Sequence, residues 1–254
     1  MIVLEEVTFF YGRRRIFTDL SLKFSRGKIT FIMGINGSGK TTLLRIITGS
    51  LKPQTGRISL DGHNMNSLDI RSRAKIISYV PQSINLHADF LVKDYISLGR
   101  NPYVSWNVRL SNHDLRIIES SAESMGIIDL MSKNFGELSG GQKQAVSIAR
   151  ALAQETPIIV MDEPMSSLDV NKQAGILSLL EELRRRGKTI ILTTHNPNHA
   201  LNISCDVCLM DNSRIIGIGD SLDILTEDNI SHVYGLKACI ADFCGQRQLI
   251  FKML

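Results

Sequence analysis

A glycine-rich loop between a strand pattern and a helix pattern constrains this fold more than any other feature. The loop reads GINGSGKT over residues 34–41, after an apolar run at 28–33 and before a helical pattern at 42–47. Glycines let backbone N–H groups approach a phosphate closely because they carry no Cβ, and the following helix adds the positive end of its dipole. The pattern therefore predicts a phosphate-binding loop in an α/β protein.

The polar residues of this loop predict how a nucleotide would be held. Lys40 would reach the β- and γ-phosphates, and the Thr41 hydroxyl would bind Mg²⁺. We expect Lys40 to belong to the catalytic residues as well. The nucleotide-binding residues expected in this segment are Gly34, Asn36, Gly37, Ser38, Gly39, Lys40, Thr41 and Thr42.

An acidic pair follows a second buried run. Asp162 and Glu163 come directly after four apolar residues at 158–161, so a buried parallel strand would deliver both carboxylates to the C-terminal edge of the sheet. Asp162 would hold Mg²⁺ through water, and Glu163 would polarise the attacking water as a general base. The pair alone could be a capped turn before Pro164, but its combination with the glycine-rich loop favours the catalytic interpretation.

The segment LSGGQ at residues 138–142 predicts a site shared between two subunits. Its serine hydroxyl and glycine N–H groups open a helix and form a second anion site, roughly 100 residues after the first. One nucleotide does not need two separate loops for its γ-phosphate within one subunit, whereas a head-to-tail pair of subunits does. A glycine-rich helix cap without a ligand is the alternative. The expected contacts to the partner's nucleotide are Ser139, Gly140, Gly141 and Gln142.

The hydrophobic period divides the chain into parts. Strand patterns dominate the first 80 residues, and the period changes from about 2 to about 3.6 between residues 91 and 154. Strand patterns then return on both sides of a helix pattern, which implies a parallel sheet. We expect one domain over 1–254, whose last part, at 222–254, forms a helix and a hairpin. Its parts would be a nucleotide-binding core at 1–85 and 157–254 and a helical insert at 86–156.

The order of these segments resembles the ATP-binding subunit of ABC transporters over essentially all 254 residues. Gln82, between the glycine-rich loop and LSGGQ, and His195, after the acidic pair, belong to the same resemblance. It implies an α/β P-loop NTPase fold with a RecA-like core, an antiparallel β subdomain and an inserted helical subdomain. It also implies an ATPase that uses ATP and Mg²⁺.

The resemblance assigns roles to residues that have no clear meaning alone. Tyr11 would stack on adenine, and Gln82 would sense Mg²⁺ and the γ-phosphate while contacting a membrane partner. His195 would contact the γ-phosphate, and Asp169 would couple the two sites of a dimer. The implied catalytic residues are Glu163, His195, Gln82 and Lys40, and the implied metal ligands are Thr41, Gln82 and Asp162.

The resemblance further implies a homodimer docked on integral-membrane permease subunits at the cytoplasmic face of the inner or plasma membrane, with a substrate-binding protein acting indirectly. Residues 98–103 and 193–200 resemble subunits of iron-siderophore, haem and cobalamin importers, so an iron(III)-siderophore, haem or cobalamin-type metal chelate is the expected cargo. Subunits for molybdate or another metal substrate remain open, as does a soluble ABC ATPase in iron–sulfur assembly. DNA-repair members need a long coiled coil that the spacing here does not allow.

Composition and charge limit the kinds of partner that are expected. With 43% apolar residues and no run of about 18 uncharged apolar residues, the chain predicts a globular protein without a membrane span. The net charge is +4, and the basic run at 184–186 would complement a helix C-terminus at a solvated surface. No nucleic-acid partner is therefore expected. The basic run at 13–15 either helps to hold phosphates or faces water.

The four cysteines and five departures from the family pattern offer alternatives to the main interpretation. Four cysteines at 205, 208, 239 and 244 could bind zinc, but positions three apart in a strand point to opposite faces, so free buried thiols are expected. Five positions depart from the usual family pattern without removing a phosphate or metal ligand, so activity is expected. They are Ile35, Lys143, Ala145, Met165 and Asn196.

Overall fold

The computed structural model describes residues 1–84, 90–105 and 108–252, which form two main sheets and a C-terminal hairpin. The strands are β1 (Ile2–Tyr11), β2 (Arg14–Phe24), β3 (Ile29–Gly34), β4 (Thr55–Leu60), β5 (His63–Asn64), β6 (Ile77–Val80), β7 (Ile158–Met161), β8 (Thr189–Thr193), β9 (Asp206–Asp211), β10 (Arg214–Asp220), β11 (Ala238–Phe243) and β12 (Gln246–Phe251). The α-helices are α1 (Lys40–Ile47), α2 (Ile70–Ala74), α3 (Val92–Ser97), α4 (Asn112–Ser124), α5 (Gly140–Ala153), α6 (Val170–Arg185), α7 (Asn198–Leu201), α8 (Ser221–Ile224) and α9 (Glu227–Tyr234).

The central sheet has the strand order β10-β9-β3-β8-β7-β6. Its strands from β9 to β6 run parallel, and β10 is antiparallel at the β9 edge. Strands β3, β7 and β8 are buried along their full length, as parallel strands covered on both faces must be. Because parallel strands end at the same edge, the residues after β3, β7 and β8 meet there.

Alternate residues of the central strands serve two different cores. One core packs Ile32 and Ile191 against α1 and against the second sheet, which is antiparallel in the order β2-β1-β4-β5. The other core packs Phe31 and Leu192 against α5, α6 and α9. This two-sided burial follows from the period of 2 along each strand. The α/β core and the antiparallel subdomain agree with the fold class predicted from the sequence.

The chain between β6 and β7 contributes the helices α3, α4 and α5, which share an apolar cluster that includes Val92, Phe135 and Val146. A capping box opens α4, since Ser111 and Asp114 each accept a hydrogen bond from the other's backbone N–H. The exact limits of a helical insert at residues 86 and 156 stay a prediction.

A buried arginine that the sequence did not single out as structural holds these helices to the core. Arg100 is only 4% exposed. Its guanidinium lies 2.8 Å from Asp114 of α4 and 2.8 Å from Glu155, and it also donates to the Ala153 carbonyl. The Tyr103 ring covers the guanidinium, with its centroid 4.4 Å from Cζ. Arg100 therefore connects the N-terminus of α4 to the end of α5.

This ion pair predicts a defined pH dependence of stability. The Ser111 hydroxyl, followed by Arg100, lowers the pKa of Asp114 to about 2 against the opposing effect of desolvation. The folded-state pKa lies below the unfolded value, so the stabilisation is present above about pH 4 and is lost as the pH falls toward 2. We expect Asp114→Asn to lower the free energy of unfolding at pH 7 by about 2 kcal/mol, since a charged hydrogen bond is lost.

Urea denaturation at pH 7, 4 and 3 tests this expectation. The difference between the wild type and Asp114→Asn should shrink below pH 4, because the carboxyl of the unfolded wild type then takes up a proton while the folded one, with its pKa of about 2, is still ionised. Asp129→Asn, which changes an exposed aspartate of the same region, is the control and should have little effect. A difference that stays constant down to pH 3 would contradict the assignment.

The C-terminal part is a helix followed by a hairpin, as predicted. The rings of Tyr234, at the end of α9, and Phe251, at the end of β12, pack with their centroids 5.6 Å apart. The Asn198 side chain of α7 accepts a hydrogen bond from the Leu249 N–H at 2.7 Å and donates to its carbonyl at 3.2 Å. The hairpin is thus attached to the segment that follows His195.

The helix α6 packs on the core with part of its apolar face. Ile176, Leu180 and Leu183 are buried, and Leu179 is half-buried. The predicted solvated surface at its C-terminus is present, because Arg184 pairs with Glu181 and Arg186 pairs with Glu182.

Candidate nucleotide-binding site

The glycine-rich loop connects β3 to α1 in the conformation that its glycines allow. Gly34 and Gly39 have φ values of 147° and 98°, which residues with a side chain rarely adopt. A Cβ at Gly34 would collide with the Met210 carbonyl, and one at Gly39 would meet the Phe17 ring at 3.0 Å. The Ser38 hydroxyl is buried without a hydrogen-bond partner in the described chain. A backbone cradle with an unsatisfied buried hydroxyl fits an anionic ligand.

Lys40 lies in the same loop, and its ammonium faces the acidic pair. The side chain is 7% exposed and donates to the Gly34 carbonyl at 2.8 Å and to the Ile35 carbonyl at 3.0 Å. Burial lowers the pKa of Lys40, while the charges of Glu163 and Asp162 raise it. The ammonium is therefore held by the loop carbonyls and lies within the electrostatic influence of both carboxylates.

The acidic pair lies at the C-terminal edge of the sheet, as the sequence predicts. Asp162 follows β7 directly and is 2% exposed. Its Oδ1 accepts a hydrogen bond from the Thr193 hydroxyl at 2.7 Å, and the Tyr79 hydroxyl lies 3.5 Å from its Oδ2. Burial, followed by the charge of Asp162, raises the pKa of Tyr79 to about 12, so this phenol stays protonated at neutral pH.

Two side chains that the sequence assigned to catalysis converge on the carboxylate of a third, Glu163. Gln82, after β6, donates from Nε2 to Glu163 Oε2 at 3.1 Å. His195, after β8, places Nδ1 3.7 Å from the same oxygen and is 60% exposed at its side chain. Neighbouring parallel strands thus deliver an amide, a carboxylate and an imidazole to one point.

These residues line a cleft of about 720 Å³. Its lining residues are Tyr11, Arg14, Ile16, Asn36, Gly37, Gly39, Lys40, Thr41, Thr42, Gln82, Glu163 and His195. Tyr11 is 43% exposed, and its ring lies perpendicular to the Phe9 ring with a centroid distance of 4.9 Å. Of the basic run at 13–15, Arg14 lines the cleft, which favours a role in holding phosphates for this residue.

The oxygen donors around the cleft suit Mg²⁺. Thr41 and Gln82 line it, and Asp162 directly precedes the lining residue Glu163. Hydroxyl, amide and carboxylate oxygens are hard ligands of the kind that Mg²⁺ prefers. These three residues would hold the ion, with the nucleotide phosphates completing its coordination.

The LSGGQ segment lies outside this cleft. None of residues 138–142 is among the lining residues of the described chain. Ser139 caps α5 by accepting from the Gln142 N–H at 3.3 Å, and Gln142 accepts from the Ser139 N–H at 2.9 Å. Gly140 and Gly141 form the first turn, and a Cβ at Gly141 would meet Leu168 at 3.2 Å.

Asp169 also makes its contacts with neighbouring residues of its own helix and not with the cleft. It caps α6 by accepting from the Lys172 N–H at 2.9 Å and pairs with the Lys172 ammonium at 3.1 Å. Its side chain is exposed and is not part of the cleft. The structure therefore brings together the residues of the glycine-rich loop, the acidic pair, Gln82 and His195, and it leaves 138–142 and Asp169 apart from them.

Sequence analysis missed several residues of the site. Thr193 and Tyr79 contact Asp162, and Ile16 lines the cleft. A usable signal existed for Thr193, which is a polar residue at the end of the apolar run of β8. Its partner could be found only from the pairing of Met161 with Leu192 in neighbouring strands.

The cysteines and the departures from the family pattern take ordinary structural positions. Cys205 and Cys208 are buried, and burial raises the pKa of each thiol to about 12. Cys239 is half-buried and Cys244 is exposed, so the expectation of buried thiols is wrong for that pair. Among the departures, Met165 is buried, and the Asn196 side chain accepts a hydrogen bond from the Asn198 N–H in the turn before α7.

Comparison with protein families identifies the class. The family model for ABC transporters matches residues 17–166, and a model for an AAA domain matches residues 132–201. The chain belongs to the ABC transporter ATP-binding family. It is an ATPase with a P-loop NTPase fold, and the predicted fold class and enzyme class are confirmed.

Curated relatives place the chain among ATP-binding proteins of metal and siderophore transport systems. The manganese transport system ATP-binding protein MntB of Halalkalibacterium halodurans is 36% identical over 92% of each chain. The iron(3+)-hydroxamate import ATP-binding protein FhuC of Bacillus subtilis is 34% identical over 92% of this chain and 87% of its own. The ferric enterobactin transport protein FepC of Escherichia coli is 32% identical over 94% and 88%.

Solved structures show the same architecture. An ABC transporter assigned to the metal-chelate type, in an inward-facing conformation, aligns with a TM-score of 0.85 at 28% identity over 99% of this chain and 97% of that chain. A dimeric cassette, MJ0796, in a post-hydrolysis state with ADP and Pi, aligns with a TM-score of 0.78 at 28% identity over 87% and 99%. Of the helices that the structure describes here, none has the length and apolar character to cross a bilayer.

Proposed function

We propose that this chain is the ATP-hydrolysing subunit of a membrane importer for a metal chelate of the iron(III)-siderophore, haem or cobalamin type. Two related ATP-binding proteins act in ferric hydroxamate and ferric enterobactin transport, and the metal-chelate transporter aligns over nearly the whole chain. The single observation that carries the mechanism is the incomplete cleft: the chain provides the phosphate loop and the acidic pair, while its own LSGGQ segment lies elsewhere.

The proposed nucleotide site combines two chains in head-to-tail arrangement. Tyr11 stacks on adenine, the loop amides and Lys40 hold the phosphates, and Ser139 to Gln142 of a second copy close over the γ-phosphate. Leu168, the residue before Asp169, lies close to Gly141 of the same chain, and Asp169 would couple the two sites. A related cassette forms a dimer, which supports a homodimer here.

Hydrolysis would use the convergent side chains at the sheet edge. Glu163 polarises the attacking water, Gln82 orients the Glu163 carboxylate, and His195 contacts the γ-phosphate. Mg²⁺, held by Thr41, Gln82 and Asp162, would neutralise charge on the β- and γ-phosphates. Closure of the dimer on two ATP molecules would move the membrane partner, and hydrolysis would reopen it.

The remaining partners follow from this role. The chain would bind integral-membrane permease subunits at the cytoplasmic face of the inner or plasma membrane, and a substrate-binding protein would act only indirectly. No nucleic acid takes part. Manganese import is a second candidate, because the manganese transport protein MntB is 36% identical over 92% of this chain.

Reconstitution tests the cargo class. The chain would be purified with its membrane partner and placed in proteoliposomes with the substrate-binding protein, and uptake of labelled ferric hydroxamate, haem, cobalamin and Mn²⁺ would be compared. We expect ATP-dependent accumulation of one of the three chelates. Accumulation of Mn²⁺ alone would favour the second candidate, and purification without any membrane partner would contradict an importer.

A further inference from the structure

Thr193 lies between the two acidic residues of the cleft. It is the last residue of β8 and is fully buried, with 0% exposure. Its hydroxyl donates to Asp162 Oδ1 at 2.7 Å and accepts from the Glu163 N–H at 2.8 Å. A hydroxyl has one proton and two lone pairs, so it can make both bonds at once. Both distances are those of well-formed hydrogen bonds.

The Glu163 backbone needs such support. Its φ is 46°, in the left-handed region that costs a non-glycine residue about 1 kcal/mol or more. Thr193 fixes the N–H side of this residue, and Ser166 fixes the carbonyl side through its N–H at 3.2 Å and its hydroxyl at 3.0 Å. The direction of the Glu163 side chain depends on this backbone conformation.

The Asp162 carboxylate depends on Thr193 as well. Its other side-chain contact is with the Tyr79 hydroxyl, at 3.5 Å, which is a long distance for an O–H···O hydrogen bond. The bond to Thr193 is therefore the shorter of the two side-chain hydrogen bonds of this carboxylate, and it holds Oδ1 against the end of β8. One side chain thus sets the orientation of both carboxylates.

Another threonine of the same strand shows what an ordinary buried hydroxyl does here. Thr189, at the opposite end of β8, is 2% exposed and accepts from the Gly27 N–H at 2.9 Å. Its hydroxyl serves a turn and has no acidic partner in the described chain. Thr189 therefore provides a matched control for the loss of a buried threonine hydroxyl from this strand.

We propose that Thr193 is a positioning residue for the metal and the attacking water. Through Asp162 it orients a metal ligand, and through the Glu163 N–H it aims the general base. The inference rests on the proposed roles of Asp162 and Glu163 in ATP hydrolysis.

Three variants test it, since valine keeps the shape of threonine and removes the hydroxyl. The variants are Thr193→Val, Thr193→Ser and Thr189→Val. We expect Thr193→Val to lower kcat about 10- to 100-fold and to raise the Mg²⁺ concentration for half-maximal activity several-fold, with the KM for ATP changed less than about 3-fold. Thr193→Ser should restore most of the activity, because the hydroxyl returns. Thr189→Val should lower the thermal midpoint without changing the Mg²⁺ dependence.

Metal binding provides a readout apart from turnover. Mn²⁺ in place of Mg²⁺, with a non-hydrolysable ATP analogue, can be followed by electron paramagnetic resonance, and Thr193→Val should bind it several-fold more weakly than Thr189→Val. Equal Mn²⁺ affinity in these two variants, or a Thr193→Ser enzyme as slow as Thr193→Val, would overturn the proposal. Failure of the wild type to hydrolyse ATP would instead contradict the proposed function, and the Mn²⁺ comparison would still test Thr193.

Discussion

Glu163→Gln should abolish ATP turnover and leave a dimer that is trapped with ATP. The amide cannot accept a proton from water, and loss of a general base lowers rates about 10²- to 10⁴-fold. Glutamine has the size of glutamate and can still pair with Gln82, so the cleft should keep its shape and bind ATP. Steady-state phosphate release and gel filtration with and without Mg²⁺-ATP measure the two effects.

The control for this variant is Glu182→Gln, which changes an exposed glutamate of α6 that pairs with Arg186. It should hydrolyse ATP at the wild-type rate and should not accumulate a dimer. A Glu163→Gln protein that retains more than about a tenth of the wild-type rate would assign the base elsewhere, by the size of the effect expected for a general base. A protein that stays monomeric with ATP would contradict the shared site.

Ser139→Arg should block hydrolysis while leaving nucleotide binding to the single chain intact. Ser139 opens α5 and makes no contact with the cleft of its own chain in the described residues. A long cationic side chain at this helix start would therefore obstruct only a nucleotide presented by a second copy. The lost cap costs about 1 kcal/mol of stability, which thermal unfolding would measure separately.

Isothermal calorimetry with ATP should give the wild-type affinity for Ser139→Arg, and phosphate release should be close to background. Ser120→Arg, which places the same side chain on the exposed surface of α4, is the matched control and should remain active. The double variant Glu163→Gln with Ser139→Arg should elute as a monomer with ATP. Full activity of Ser139→Arg would show that the LSGGQ segment does not complete the site.

The parts of the site that could be predicted from sequence are local. The glycine-rich loop is recognisable because its φ angles, its lysine and its flanking elements all lie within residues 28–47. Asp162 and Glu163 could be placed at the sheet edge because a buried strand must end there.

The parts that escaped prediction depend on strand pairing and side-chain packing across the fold. Thr193 reaches Asp162 only because β7 and β8 are neighbours in a specific register. Arg100 was noted only within a segment typical of a subfamily, while its contacts with Asp114 and Glu155 require α4 and the end of α5 to meet. Single-residue patterns carry no information on such pairings.

The two hydrogen bonds between Asn198 and Leu249 have a mechanical consequence. Because one amide group makes both bonds, a displacement of β12 would be transmitted directly to the start of α7, three residues after His195. The hairpin is therefore coupled to the end of the cleft where His195 lies. A molecule that displaced β12 would also move the segment of His195, the residue to which we assign the γ-phosphate contact.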